Sequence, residues 1–254
     1  TPRAIRNFSE RNGVSKASST VEFAFLEHCL REDLNETAQR VMAVLRPVKL
    51  TITNYPEGQS ESFQVENNPN RPKDGTREVP FSRELYIEAE DFLETPVPKY
   101  KRLFPGGPEC RLKGAYLIKC VGCVKDADGR VTEVLCEYDP DSRGGDPADG
   151  RKVKGATIHW VDAATAVDAE IRLYDNLFSD ADPDAGEKNF LDCLNPASLE
   201  ILTGAKVERS LEHVQAPGSF QFMRQGYFCV DNRDSAPGRL VFNRSVSLKD
   251  SFKF

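Results

Sequence analysis

Histidine, methionine and tryptophan are scarce in this sequence of 254 residues, with three His, two Met and one Trp. His28, His159 and His213 are scattered, and no HExxH pair forms. No GxGxxG follows a strand-like run and no GxxxxGK(S/T) is present, so the signatures of dinucleotide binding, phosphate-loop hydrolysis and zinc peptidases are missing. Long apolar runs are absent as well. The longest, Val41-Met42-Ala43-Val44-Leu45, falls far short of the roughly 20 residues that span a bilayer. No charged start with an apolar core and a small-residue cleavage site opens the chain, so a cytoplasmic location is expected rather than secretion. The start at Thr1, without Met, is what a piece of a longer protein would show. Positive charge is in deficit: 34 Lys and Arg stand against 40 Asp and Glu, a formal net charge of -6. That excludes a protein that coats DNA by neutralising many phosphates, but not a local basic groove on an acidic body.

Seven cysteines form no even, regularly spaced framework, which fits free thiols in a reducing cytosol. Cys120-Val121-Gly122-Cys123 is the one CxxC, and a zinc ribbon needs a second; only the lone Cys110 and Cys136 are near. Because Ala115 to Val124 also reads as a strand, the two sulfurs are expected to face different directions. Asp182, Asp184 and Glu187 read as a solvated loop, since no EF-hand glycine and ligand alternation accompanies them.

What is present is a basic stretch, Lys99 to Lys113. It carries Lys99, Lys101, Arg102, Arg111 and Lys113 against one acid, Glu109, with Tyr100 and Phe104 interleaved. Pro105-Gly106-Gly107-Pro108 reads as a turn that brings two basic edges together. Cations interleaved with aromatics suit single-stranded nucleic acid, charge for phosphates and flat faces for bases. Taken alone, the stretch is better read as a solvated hairpin with Lys-protected edges.

Around it the pattern is helices first, then strands. Thr1 as N-cap, Pro2 at the first helical position and Gly13 beyond the end predict a short first helix. Ser19 and Glu22 form a capping box for a second, with an apolar stripe through Val21, Phe25 and Cys29 and with His28 as a packing residue. A third helix is expected from about Glu36 to Leu45, closed by Pro47. Strands are expected over Lys49 to Tyr55, Leu85 to Ile87, Leu112 to Cys120, Val131 to Tyr138, Lys152 to Val161, Glu170 to Leu177, Ser219 to Arg224, Gly226 to Val230 and Leu240 to Val246. Hairpin turns fall at Asp126-Ala127-Asp128-Gly129 and Gln225-Gly226. Asp180 to Glu187 reads as an acidic surface loop. Short strands at this spacing predict a mainly β protein, a helical subdomain followed by one large or two small barrels.

Asp149-Gly150-Arg151-Lys152-Val153-Lys154-Gly155 followed by Ile158-His159-Trp160-Val161 resembles the anticodon-binding half of the glutaminyl-tRNA synthetases. Ile5-Arg6-Asn7-Phe8, Arg31-Glu32-Asp33-Leu34-Asn35, Pro47-Val48-Lys49-Leu50, Tyr100-Lys101-Arg102-Leu103, Val167 to Tyr174, Phe220-Gln221-Phe222, Gly226-Tyr227-Phe228 and Phe242-Asn243-Arg244 extend the match in order over the whole chain. Archaeal and eukaryotic glutamyl-tRNA synthetases share the architecture and are the nearest alternative. The resemblance implies a helical connector, residues 1–46, a proximal barrel from 47–57 and 151–254, and a distal barrel from 58–150. Residues 151 to 161 would be the strand that returns from the distal barrel. The family's HIGH-like and KMSKS-like catalytic signatures are not found, and Val14-Ser15-Lys16-Ala17-Ser18 is only superficially similar to the latter. The chain alone is therefore not expected to aminoacylate. No cofactor is expected in it, with ATP and Mg²⁺ implied only for the catalytic domain in cis. The implied partner is the anticodon loop of tRNA(Gln), with neither DNA nor membrane, and the chain is expected to be a monomer.

By the same resemblance, Asn35, Arg40 and Asn67 approach the anticodon loop, and Lys99, Tyr100, Lys101 and Arg102 embrace its third base. Arg111 and Lys113 lie near the first base, Gln221 and Arg224 read the middle and third, and Ser251 supplies a C-terminal hydroxyl. Lys113 replaces a usual Arg, a point charge where a fork can bind with two bonds. Met223 stands where a charged or polar residue is common, and Lys99 replaces a frequent Gln. Sequence-specific RNA recognition reads unstacked loop bases on their edges and stacks them on aromatics or guanidinium planes, which is what this residue set supplies. A general RNA-binding module similar to ribosomal-RNA-binding barrels is the second reading. An independent enzyme using a carboxylate or thiol site is a third, and no motif supports it.

Overall fold

A computed structural model describes residues 1–16, 21–180, 182–183 and 189–249. Two α-helices open the chain, α1 (Pro2–Asn12) and α2 (Phe23–Thr37). The Thr1 hydroxyl accepts the Ala4 N–H at 3.1 Å, and Gly13, at φ 74°, ends the first helix, as the sequence predicts. The second helix differs from expectation. It starts at Phe23 with Glu22 as N-cap and no side-chain capping bond, and Ser19 lies outside the described residues. Leu34, with Ala38 beyond the helix end, packs on Tyr227 and Val246, and the Arg31 guanidinium donates to the Ser247 carbonyl at 2.8 Å. These contacts seat the helices on the β structure.

The expected third helix is replaced by two short strands, β1 (Gln39–Val41) and β2 (Ala43–Val44). A short, wholly apolar run cannot be assigned by periodicity, and here its two faces enter different cores. Val41, Ala43 and Leu45 belong to one hydrophobic cluster, Met42 and Val44 to another. The segment is thus a wall between two cores, apolar on both sides because strand side chains alternate. Its N–H groups are met by two buried carboxylates. Glu208 accepts from Met42 at 2.9 Å, and Glu88 accepts from Leu45 at 2.7 Å and Arg46 at 3.0 Å.

The chain continues through β3 (Pro47–Ile52), β4 (Ser60–Glu66), β5 (Thr76–Ser82), β6 (Glu84–Glu88), β7 (Cys110–Leu112), β8 (Leu117–Lys125) and β9 (Val131–Tyr138). Then follow β10 (Thr157–Ile158), β11 (Val161–Asp162), β12 (Val167–Tyr174), β13 (Leu199–Val207), β14 (Ser219–Phe222), β15 (Gly226–Val230) and β16 (Leu240–Ser247). They build two barrel-like sheets, ordered β1-β14-β15-β16-β12-β13-β2 and β10-β7-β8-β9-β3-β6-β11, with β4 and β5 as a separate ribbon. In each sheet the two edge strands are consecutive in the chain. Met42 alone separates β1 from β2, and His159-Trp160 separates β10 from β11. One kinked segment therefore curls each sheet round on itself, which is how barrels dispose of their edges.

The pairing departs from the expected division of the chain. β3 is bonded to β6 and β9, so residues 47–52 join the sheet of residues 58–150 rather than that of the C-terminal strands. β10 and β11 join it too. The turn at Leu45-Arg46, pinned by Glu88, is where the chain changes sheets. The expected strand over Lys152 to Val161 shortens to β10 and β11, because Arg151 is held sideways by Glu109 and Asp139 at 2.8 and 2.6 Å. Gly155 then passes so close to β7 that a Cβ there would lie 2.2 Å from the Glu109 carbonyl oxygen. The CxxC expectation also changes. A bulge between Cys120 and Gly122 resets the alternation, so that Cys123 packs against the same core as Cys120. All seven cysteines are free, and among the described residues no cluster could hold a metal. Asp184 and Glu187 lie outside the described residues. No helix among those described is long and apolar enough to cross a membrane.

Candidate nucleic-acid interface

The basic stretch is not a hairpin. Gly106, at φ 76°, makes the expected turn, but the two arms do not pair directly. Ala156 lies between them, donating its N–H to the Lys101 carbonyl at 2.7 Å and accepting from the Arg111 N–H at 3.0 Å. The Lys113 N–H extends the contact to Ile158 at 2.9 Å, and its carbonyl accepts from the Trp160 indole at 3.1 Å. The returning segment thus fixes the spacing of both basic arms. Lys99, Lys101 and Lys113 are exposed and make no ion pair among the described residues. Arg111 is oriented by the Gly145 carbonyl at 2.8 Å and by Asp146 at 3.3 Å. Tyr100 is half-buried, its hydroxyl donating to the Glu90 carbonyl at 3.0 Å and its ring 6.3 Å from that of Phe104. Burial pushes its phenol up to about 12.

Arg102, in the segment between β6 and β7, and Arg224, in the β14–β15 turn of the other sheet, meet at one carboxylate. Asp91, fully buried, accepts two bonds of 2.7 Å from Arg224 and lies 3.2 Å from Arg102. The Arg102 and Arg224 side chains remain 34% and 28% exposed. Arg224 sits at the tip of the β14–β15 turn with φ 67°, and Lys99 has the same φ. These are the only non-glycine residues with positive φ among those described, and both belong to the residue set implied by the sequence. Left-handed backbone costs such residues roughly 1–2 kcal/mol and recurs at functional sites.

A second group lies at the junction of α2 with the first sheet. Arg40 pairs with Gln221 across β1 and β14, donates to the Asn35 side chain at 3.3 Å and bonds through its N–H to the Asn67 carbonyl at 2.7 Å. Asn67 is further held by Gln39 at 3.1 Å. β14 and its turn join the two groups, with Gln221 in one and Arg224 in the other. Ser251 lies outside the described residues.

Sequence reasoning missed Asp91 and Glu88, and it placed His159 within an expected strand, whereas His159 lies between β10 and β11. The 1% exposed His159 ring stands 3.2 Å from Arg224 through Nδ1 and 3.5 Å from Glu88 through Nε2. Burial alone would raise the Glu88 carboxyl. The nearby His159 ring and the bonds from the Leu45 and Arg46 N–H groups outweigh it and hold the group below its ordinary value. No local signal marks Asp91, because both its partners are brought by the fold.

Exposed lysines, partly exposed arginines and amides in two groups linked by β14 are a residue set suited to a splayed single strand, with phosphates bound by point charges and base edges read by forks. Comparison with known proteins agrees. Two models described as "tRNA synthetases class I (E and Q), anti-codon binding domain" match residues 38–139 and 157–231, together more than half of the chain. The chain belongs to this anticodon-binding family. It is 55% identical over 254 residues to a protein of Clostridium kluyveri named glutamine–tRNA ligase, covering all of this chain and 45% of that protein. It is 51% identical over 256 residues to the protein of the same name from Pseudomonas syringae pv. tomato, covering 99% of this chain and 44% of the relative. The chain therefore spans less than half the length of the curated relatives that it matches.

Proposed function

We infer that this chain recognises the anticodon loop of tRNA(Gln) as part of a glutamine–tRNA ligase, and that it does not charge tRNA by itself. The observation that supports the reading is the meeting of Arg102 and Arg224 at Asp91, joined through β14 to the group of Asn35, Arg40 and Gln221. Arg102 and Arg224 read base edges, and Lys99, Lys101 and Lys113 anchor phosphates. Tyr100, tethered through its hydroxyl, offers the free part of its ring for stacking. ATP and Mg²⁺ belong with the catalytic domain in cis, the chemistry of which has no counterpart among the motifs of this chain. Cytoplasmic location and a monomeric state accompany the reading.

Titration of labelled anticodon stem-loops tests it. A stem-loop with an anticodon ending in UG binds more tightly than one with all three anticodon bases scrambled, and the difference survives moderate salt. Equal affinity for both would favour a general RNA-binding module. Joining the chain to a catalytic domain and assaying glutamine against glutamate then tests the amino-acid identity.

A further inference from the structure

We propose that Asp91 is the positioning residue for the base-reading pair Arg102 and Arg224, with His159 flanking the Nη1 of Arg224 that Asp91 also holds. The inference rests on the anticodon reading above and assigns the origin of its selectivity. Asp91 ends the short turn Ala89–Asp91 that follows β6, and its backbone is clipped to the basic arm. Its carbonyl accepts from the Leu103 N–H at 3.0 Å, and the Leu93 N–H donates to the Leu103 carbonyl at 3.0 Å. Arg102 is therefore carried beside Asp91 by the main chain, while Arg224 arrives from a hairpin of the other sheet.

Two guanidiniums sharing one carboxylate keep their mutual repulsion in check. Arg224 is held by two bonds, which fix its plane, and Arg102 meets the same carboxylate through Nη1 alone, which also donates to the Glu90 carbonyl at 3.3 Å. Arg224 Nη1 has a second neighbour besides Asp91. With Nη1 directed at His159 Nδ1, that nitrogen serves as acceptor, and the ring proton sits on Nε2, toward Glu88. Glu88 also accepts from the Gln225 side chain at 2.8 Å and from the two backbone N–H groups of the wall between the cores. His159 thus caps Arg224 through Nδ1, while its Nε2 stands 3.5 Å from Glu88 without a hydrogen bond, and Glu88 holds the same turn through the neighbouring Gln225. The left-handed backbone of Arg224 at φ 67° is held by the same tethers. Neither Asp91 nor His159 reaches solvent, so neither touches RNA; they act through the arginines.

The test compares affinities for two stem-loops that differ only at the third anticodon base, in this chain and its variants. Asp91→Asn keeps the shape but removes the charge, and third-base preference is expected to fall roughly tenfold. In a chain already carrying Arg102→Gln and Arg224→Gln, adding Asp91→Asn is expected to change that preference no further. A merely structural loss would continue to weaken binding there. Should melting show that Asp91→Asn does not fold, His159 reads the same device. His159→Asn keeps an acceptor near the Nδ1 position and retains the preference, whereas His159→Phe loses it. Preference unchanged in Asp91→Asn, or falling alike in both His159 variants, would overturn the inference alone. No third-base preference in the unsubstituted chain would overturn the anticodon reading and this inference with it.

Discussion

Val41 and Met42 are neighbours in the chain, yet they bury their side chains in different hydrophobic cores. The strand that closes the first sheet is thereby a structural part of the second. Met42→Ala should cost about 2–5 kcal/mol, the range for a fully buried side chain cut back to Ala. Because Met42 is clamped to Glu208 through its own N–H, both cores should loosen together, in one denaturant transition. Two separated transitions, with only one displaced by the substitution, would show that the sheets fold independently.

Lys99 stores strain that its position in the site requires. Replacing it with Gly relieves the left-handed backbone but frees the unfolded chain, so Lys99→Gly should raise stability by between about 0 and 1 kcal/mol. Stem-loop affinity should fall in the same variant, because an exposed cation is lost. A variant that is both less stable and equally tight in binding would contradict this division.

Lys101 and Arg102 are adjacent but are given different tasks. Lys101→Ala should weaken every stem-loop alike and reduce the slope of log affinity against log salt by about 0.7, one released counterion on a single strand. Arg102→Ala should instead erode third-base discrimination, roughly by the 1–3 kcal/mol of a two-pronged base contact. Identical losses from the two substitutions on every anticodon would merge the two tasks.

Four of the seven tyrosines resist ionisation. Burial pushes Tyr100 and Tyr116 up to about 12, and Tyr55 and Tyr227 are raised as well. Tyr55 and Tyr116 both donate to the Glu61 carboxylate, at 3.0 and 2.8 Å, which disfavours their phenolates further. Each folded value lies above the unfolded value of about 10, so the stabilisation is complete below pH 10 and is lost as pH rises toward 12. Tyrosinate absorbance at pH 11 should fall short of the full complement, the remainder appearing together with loss of the β-sheet circular dichroism. All seven phenols ionising reversibly in the folded chain below pH 11 would refute the assignment.

Much of this fold is written locally. The alternation of Ile171 and Leu173 against Arg172 and Tyr174 gives β12, and Asp126 to Gly129 gives the β8–β9 hairpin, because each signal is contained in a few residues. Residues 36–45 misled, since an apolar run that feeds two cores has no face to betray its period. Lys152 to Gly155 misled in the opposite way. Its alternation suits a strand, but Arg151 and the close passage of Gly155 hold the backbone out of the ladder. At the interface the basic residues are visible because exposed charge is a property of the sequence. Asp91, Glu88 and His159 are not, because a buried carboxylate earns its role only from partners as distant as Arg224, 133 residues away.

Photocrosslinking tests the central claim most directly. An anticodon stem-loop carrying 4-thiouridine at its middle anticodon position should attach to peptides holding residues 99–113 and 219–226, the two arms that converge on Asp91. Attachment only to the distant β12–β13 ribbon, or equal labelling by a stem-loop with a scrambled anticodon, would contradict an anticodon interface at these two arms.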